Sequence, residues 1–302
     1  MKLILATWIV VSHLPKPEPL GQFNYFPVAG FFFLSGYGLM RQKELGIKFR
    51  LVKSGLKLLI PFFICEGVYV ALFVAPVSPV RLSDVVRMIG LRSIMLPYGW
   101  YVYTQFVCYL IWAVVSRIRK PYLVVILTFI CLFCYAYYQR SSSEFLTSYK
   151  TVFSFVYGVA FSAVENRERI SKIFRNLYLP IANAVLACYI FNFLIDNESV
   201  SAAVLYNLSA LLFCNVMIWI FYNIDLARCG SIKLAASSYE IYLVQGIAQC
   251  FYMQTYFCKT SILNLSESLW LNILSILTTI LAGVLLNKLL TPARRAIGKV
   301  DC

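Results

Sequence analysis

Charge is scarce in this chain. Charged residues fill 13% of its 302 positions and hydrophobic ones 61%, whereas a soluble domain is nearer half apolar and a quarter charged. One soluble core could not hide so much apolar surface. Carboxylates are scarcer still, 13 Asp and Glu against 27 Lys and Arg, which leaves a formal net charge of +14. That surplus does not describe a nucleic-acid binder, because the cations come in short clusters between apolar stretches, not on one basic face or tail. Histidine occurs once, and the ten cysteines lie mostly within apolar runs without metal-ligand spacing, so no metal site is expected. Cys131 and Cys134 form a CxxC inside the run PYLVVILTFICLFCYAYY, where packing is the default reading. Internal repeats and stretches of soluble-domain composition are also missing, so residues 1–302 read as a single membrane domain.

Long apolar runs are what the chain has in their place. A hydrocarbon layer of ~30 Å takes about 20 mostly apolar helical residues to cross. Segments near 3–14, 24–40, 58–79, 98–116, 121–138, 146–164, 177–195, 200–224, 234–256 and 268–290 meet or approach that length. They are continuous, with no alternation of apolar and polar residues, which favours helices over a barrel. The aromatic fraction of 16% suits interfacial belts. The expected fold is therefore an all-α polytopic membrane protein of about ten transmembrane helices. Twenty of the 27 Lys and Arg fall in one alternate set of connections, with clusters at 41–57, 117–120, 167–175 and 288–299. Positive loops stay inside, so both termini are expected in the cytoplasm. The first segment is short: twelve residues make ~18 Å of helix. It also lacks the small-x-small site of a cleaved leader, and an upstream piece of the protein is the favoured reading.

His13 ends that segment, just before Pro15, Pro17 and Pro19. Imidazole is the side chain best suited to take a proton from a hydroxyl near neutral pH, and ionisable groups in membrane segments tend to mark functional sites; an interfacial histidine touching headgroups is the plainer alternative. Lys2 stands eleven positions earlier, three helical turns plus ~20°, so the two share one face. In the ninth segment Ser238, Tyr242, Gln245 and Gln249 follow at i, i+4, i+7 and i+11, a polar stripe that faces either a cavity or another helix. Glu66 and Glu240 are carboxylates in or near apolar helices. Glu66 is a candidate to orient His13 or bind an acceptor hydroxyl, with pairing to a lysine as the alternative. The 41–57 loop holds six cations against Glu44 and can receive phosphates or simply set topology.

Five stretches in chain order resemble the acyltransferase-3 family, which includes bacterial O-antigen and exopolysaccharide O-acetyltransferases. They are Lys2 with His13, where the family has Arg, ten residues and His; Phe31-Phe32-Phe33-Leu34-Ser35-Gly36-Tyr37; Lys57-Leu58-Leu59-Ile60-Pro61, for RLLIP; Trp100-Tyr101; and Ser238-Tyr239-Glu240-Ile241-Tyr242-Leu243-Val244-Gln245, for SYxIYLxH. Three departures stand out. Lys2 replaces an Arg and so loses the bidentate fork suited to phosphate. Ser54 and Lys57, with Lys53 beside them, replace an Arg-x-x-Arg. Gln245 replaces a late His and can hydrogen-bond but not shuttle a proton.

The resemblance implies a membrane-bound O-acyltransferase of the bacterial inner membrane. Its donor would be acyl-CoA, acetyl-CoA foremost, used as a co-substrate with no tightly bound cofactor; its acceptor would be a sugar or cell-surface glycan hydroxyl. It implies His13 as general base, Lys2, Lys53 and Lys57 toward the CoA phosphates, and Ser35, Trp100, Tyr101, Tyr242 and Gln245 as binding or supporting residues, to which the buried-carboxylate reading adds Glu66. Among these, Glu66 matches no family motif and rests on its chemistry alone, and Ser35 beside Gly36 reads more readily as helix packing. Two other classes fit the residues: a transporter or flippase of a glycan or lipid-linked sugar, and a family member without activity.

Overall fold

The computed structural model describes residues 1–14, 23–89, 95–141, 150–164, 172–174, 176–193, 200–224, 235–253, 261–263 and 268–299. The proline series at 15–19 and the loop cations Lys16, Arg92, Arg167, Arg169, Arg175, Arg228, Lys233 and Lys259 lie outside them. The described residues are helical, with no strand among them. The elements are α1 (Lys2–Ser12), α2 (Tyr25–Glu44), α3 (Leu51–Tyr69) running straight into a π-helical turn (Val70–Val74), α4 (Leu82–Ile89), α5 (Trp100–Val115) and α6 (Pro121–Ser141). They continue with α7 (Phe153–Val164), α8 (Tyr178–Phe193), α9 (Val200–Asn223), α10 (Ser238–Tyr252) and α11 (Leu269–Lys299).

Each of the ten apolar segments overlaps one of these helices, and residues 146–149, 194–195, 234 and 254–256 of those segments lie outside the described residues. The helix left over is α4, an eight-residue amphipathic helix whose Asp84 and Arg87 hide it from a search for apolar runs. Among the described residues, four helices are long and apolar enough to cross a membrane by length and composition: Leu51–Val74, Pro121–Gln139, Ala202–Asn223 and Leu269–Ile297. Two of them carry exposed apolar rows that water would not tolerate. On α6 the row is Tyr122, Ile126, Phe129, Ile130, Phe133 and Tyr137; on α11 it is Trp270, Leu274, Leu277, Leu281, Leu285 and Leu289. Rows at helical spacing face an apolar solvent when no protein covers them, so the chain is a multi-pass membrane protein.

The helices gather into two compact units. The first holds Met1, 22–51 and 107–230; the second holds 2–21, 52–106 and 231–302, so the division passes through α5. In the first unit α2 crosses α7 at two glycines. A Cβ on Gly36 would overlap the Phe155 carbonyl, and one on Gly158 would overlap the Phe33 carbonyl. Small residues at a membrane crossing let backbones approach and exchange dispersion where hydrophobic burial gives nothing. The Ser35-Gly36 pair therefore sits at a packing contact. Phe33, Ala29, Ala210, Cys214 and Ile218 form the core beside it. The Tyr157 hydroxyl donates to Asn215 Oδ1, and Asn215 Nδ2 donates to Asn183 Oδ1 at 3.3 Å, which ties α7, α9 and α8.

The second unit packs α1 and α11 on α10. Gly283 of α11 lies so close to α10 that a Cβ would stand 2.6 Å from the Ile241 amide nitrogen. Arg294 of α11 donates to Glu240 and, at 2.6 Å, to Asn287 Oδ1, while Asn287 Nδ2 donates to Ser237 Oγ at 3.0 Å. Pro61 removes one amide from the ladder of α3. Nearby, the Tyr239 hydroxyl donates to the Leu58 carbonyl at 2.6 Å and joins α3 to α10.

Candidate active site

His13 follows the last residue of α1, where a helix leaves four carbonyls without amide partners. Two side chains turn back to one of them. Ser12 Oγ donates to the Ile9 carbonyl at 2.9 Å, and His13 Nδ1 lies 2.9 Å from the same oxygen. A carbonyl only accepts, so Nδ1 carries the proton. That fixes the neutral tautomer and leaves the Nε2 lone pair as the basic position. The cap thus chooses which nitrogen can take a proton.

Two residues flank the ring. Gln245 of α10 lies beside it, within hydrogen-bonding reach of the imidazole and fully buried. The Tyr98 ring covers one face, centroid to centroid 3.7 Å with 33° between planes. One turn beyond Gln245, Gln249 donates to the Val10 carbonyl at 3.5 Å, while its own Oε1 has no partner among the described residues. The polar stripe of α10 is wholly buried at Ser238, Tyr242, Gln245 and Gln249. Its first residue is structural, since Ser238 Oγ donates to the Ala235 carbonyl at 2.7 Å.

Tyr101 and Tyr242 meet edge to face at 5.3 Å. The Tyr101 hydroxyl donates to Gln105 Oε1 at 3.2 Å, and that of Tyr242 donates to the Tyr98 carbonyl. Trp100 opens α5, and its carbonyl accepts from Thr104 Oγ1 at 3.2 Å. Glu66 is buried, and among the described residues its carboxylate is hydrogen-bonded to neither imidazole nor lysine. Oε1 accepts the Met95 amide at 2.7 Å and Oε2 the Leu96 amide at 3.3 Å.

Of the ten residues singled out from sequence, all but Ser35 fall in the second unit. His13, Tyr101, Tyr242 and Gln245 come together around residue 98, with Glu66 fastening the segment just before it. Lys2 is exposed at the far end of α1, and on α3 Lys57 is exposed and Lys53 half-buried. The 41–57 cluster is divided. In the first unit Arg41 pairs with Glu44 at 3.0 Å, and Lys43 donates to the Ser116 carbonyl at 2.9 Å and to that of Ile118, capping α5. Lys53 and Lys57 belong to the second unit. Tyr98 was not foreseen. Its only sequence signal is the Pro97-Tyr98-Gly99 turn before α5. Arg294 read as a topology signal and proves to be the ion-pair partner of Glu240. No cluster of three metal-ligating side chains occurs among the described residues.

No curated protein and no solved structure matches the chain. The acyltransferase-domain family model Acyl_transf_3 matches residues 1–288. The match runs through both units and takes in α1 with His13, the α2 glycine crossing, the Pro61 helix and the whole of α10. The chain therefore belongs to the acyltransferase-3 family of acyltransferases.

Proposed function

We propose that the protein moves an acyl group, acetyl foremost, from acyl-CoA on the cytoplasmic side of a bacterial plasma membrane to a hydroxyl of a sugar or cell-surface glycan. It does so through ten spans with both termini inside and with no tightly held cofactor. The observation that carries this reading is the His13 ring, fixed as the Nδ1–H tautomer by the Ile9 carbonyl and set beside the buried Gln245 amide.

In this mechanism the acceptor hydroxyl hydrogen-bonds to Nε2 of His13, while its own oxygen or a neighbouring sugar hydroxyl engages Gln245. As the hydroxyl oxygen attacks the thioester carbonyl carbon, Nε2 takes the proton. The carbon–sulfur bond then breaks, and the CoA sulfur leaves with the proton returned by the imidazolium. The products are an O-acyl ester and free CoA. General-base assistance of this kind contributes roughly 10²–10⁴-fold. Gln245 cannot relay protons, so its part is to hold the acceptor. Lys2, Lys53 and Lys57 meet the CoA phosphates as point charges. Trp100, Tyr101 and Tyr242 support the acceptor side, and Ser35 is a hydrogen-bond donor.

The test uses membranes carrying the full chain, acetyl-CoA labelled in its acetyl group, and His13→Ala beside the wild type at equal expression. Label entering a glycan fraction only with intact His13 supports the enzyme. Equal labelling by both proteins removes His13 as the base, and no label in either points to a carrier or an inactive member.

A further inference from the structure

Tyr98 is the one residue other than glycine with a positive φ among the described residues, at 68°. For a bulky side chain that conformation is a true outlier, because the Cβ crowds its own backbone, and it persists only where the surroundings impose it. The surroundings here are visible. Upstream, both oxygens of Glu66 hold the Met95 and Leu96 amides. Downstream, the Tyr242 hydroxyl holds the Tyr98 carbonyl. Between them Pro97 lies against Gly246 of α10, with carbons 3.1 to 3.4 Å from where a Cβ would stand. Helices α3 and α10 thus clamp a short strap, residues 95–98, at both ends and in its middle. The product of the clamp is the ring of Tyr98, laid on the imidazole at 3.7 Å.

We infer that Tyr98 is a positioning residue for the His13 base, its ring pressed onto the imidazole by a left-handed backbone that Glu66 and Tyr242 fasten from two helices. The inference rests on the reading of His13 as the base. The Ile9 carbonyl fixes one ring nitrogen but leaves rotation about that hydrogen bond. The Tyr98 ring removes that freedom and keeps Nε2 aimed at one point. Strain belongs at such a place, because a relaxed turn would let the ring swing away.

The single histidine makes the test clean, since carbethoxylation of the full chain by diethyl pyrocarbonate then gives one histidine signal in the ultraviolet. Tyr98→Gly keeps the turn, as glycine takes φ near 68° without strain, and removes only the ring. The expected result is faster carbethoxylation of His13 and a kcat for acetyl transfer lower by about a hundredfold, the scale of a small misplacement of a reacting group. KM for acetyl-CoA should stay within about twofold, because the lost contact acts on the transition state. Tyr98→Phe should restore both readouts, and Tyr242→Phe should shift both in the direction of Tyr98→Gly by a smaller factor. Wild-type kcat and wild-type carbethoxylation in Tyr98→Gly would overturn the inference, as would a Tyr98→Phe enzyme as defective as the glycine variant. His13→Ala in parallel separates the two readings. If it is inactive while Tyr98→Gly is normal, only the inference about Tyr98 fails. If it retains turnover, the base assignment fails and the positioning role with it.

Discussion

The two units bury different things. The buried polar residues of the first are neutral hydroxyls and amides, such as Asn183 and Asn207, and its tightest contact is the glycine-on-backbone crossing of α2 and α7. The second unit holds both buried carboxylates found among the described residues, Glu66 and Glu240, together with the lone histidine. Polar groups inside a membrane protein are retained where they are used. The first unit packs by shape around neutral groups, and the second keeps the buried charge. The family's aromatic-Ser-Gly run belongs to the first kind and its histidine to the second, so motifs of one family need not share one role.

Substitutions can break or sharpen that contrast. His13→Ala has the largest expected effect, a loss of acyl transfer of about 10²–10⁴-fold with an unchanged melting curve in detergent. Next is Arg294→Ala, which strands Glu240 as a buried charge. It should cost about 3–5 kcal/mol, read by thermal unfolding, with much of the loss recovered in the double variant with Glu240→Gln. Gly158→Val forces a branched side chain into the Phe33 backbone. It should cost about 1–3 kcal/mol or more, lowering the yield of folded protein while leaving KM for acetyl-CoA in the surviving fraction unchanged. The smallest effect is expected of Tyr157→Phe, roughly 0.6 kcal/mol for one interhelical hydrogen bond in a membrane. A double-mutant cycle with Asn215→Ala isolates that term. If Tyr157→Phe altered kcat as well, the separation of scaffold from chemistry would be wrong.

Helix existence was legible in the sequence because its cause is local. Each apolar run found a helix, and the 3.6-residue period placed Ser238, Tyr242, Gln245 and Gln249 on one buried face of α10. His13 stood out because an imidazole is expensive to keep in an apolar run and rarely persists there without use. What escaped depended on partners distant in sequence. Glu66 gave no sign that its oxygens would serve amides 29 and 30 residues on, and Arg294 looked like any cation at a helix end. The amphipathic α4 was invisible to a hydropathy ruler. The turn at Tyr98 was hidden for a sharper reason: local rules argue against a tyrosine at positive φ, and only tertiary contacts overrule them. Lys43 reads as a phosphate ligand or a topology charge and serves instead as a cap on α5, because its partners lie 73 and 75 residues away.

The order in which the chain is made gives the division of the fold a temporal meaning. The second unit draws on residues 2–21, 52–106 and 231–302, so the ribosome delivers the imidazole ahead of the body of the first unit, and α10 and α11 only after it. For most of synthesis a nascent chain therefore holds a histidine without Gln245 beside it and without Tyr242 to fasten residue 98. A half-made chain lacks the arrangement around residue 98, which is complete only when the late helices close on residues that have waited for them.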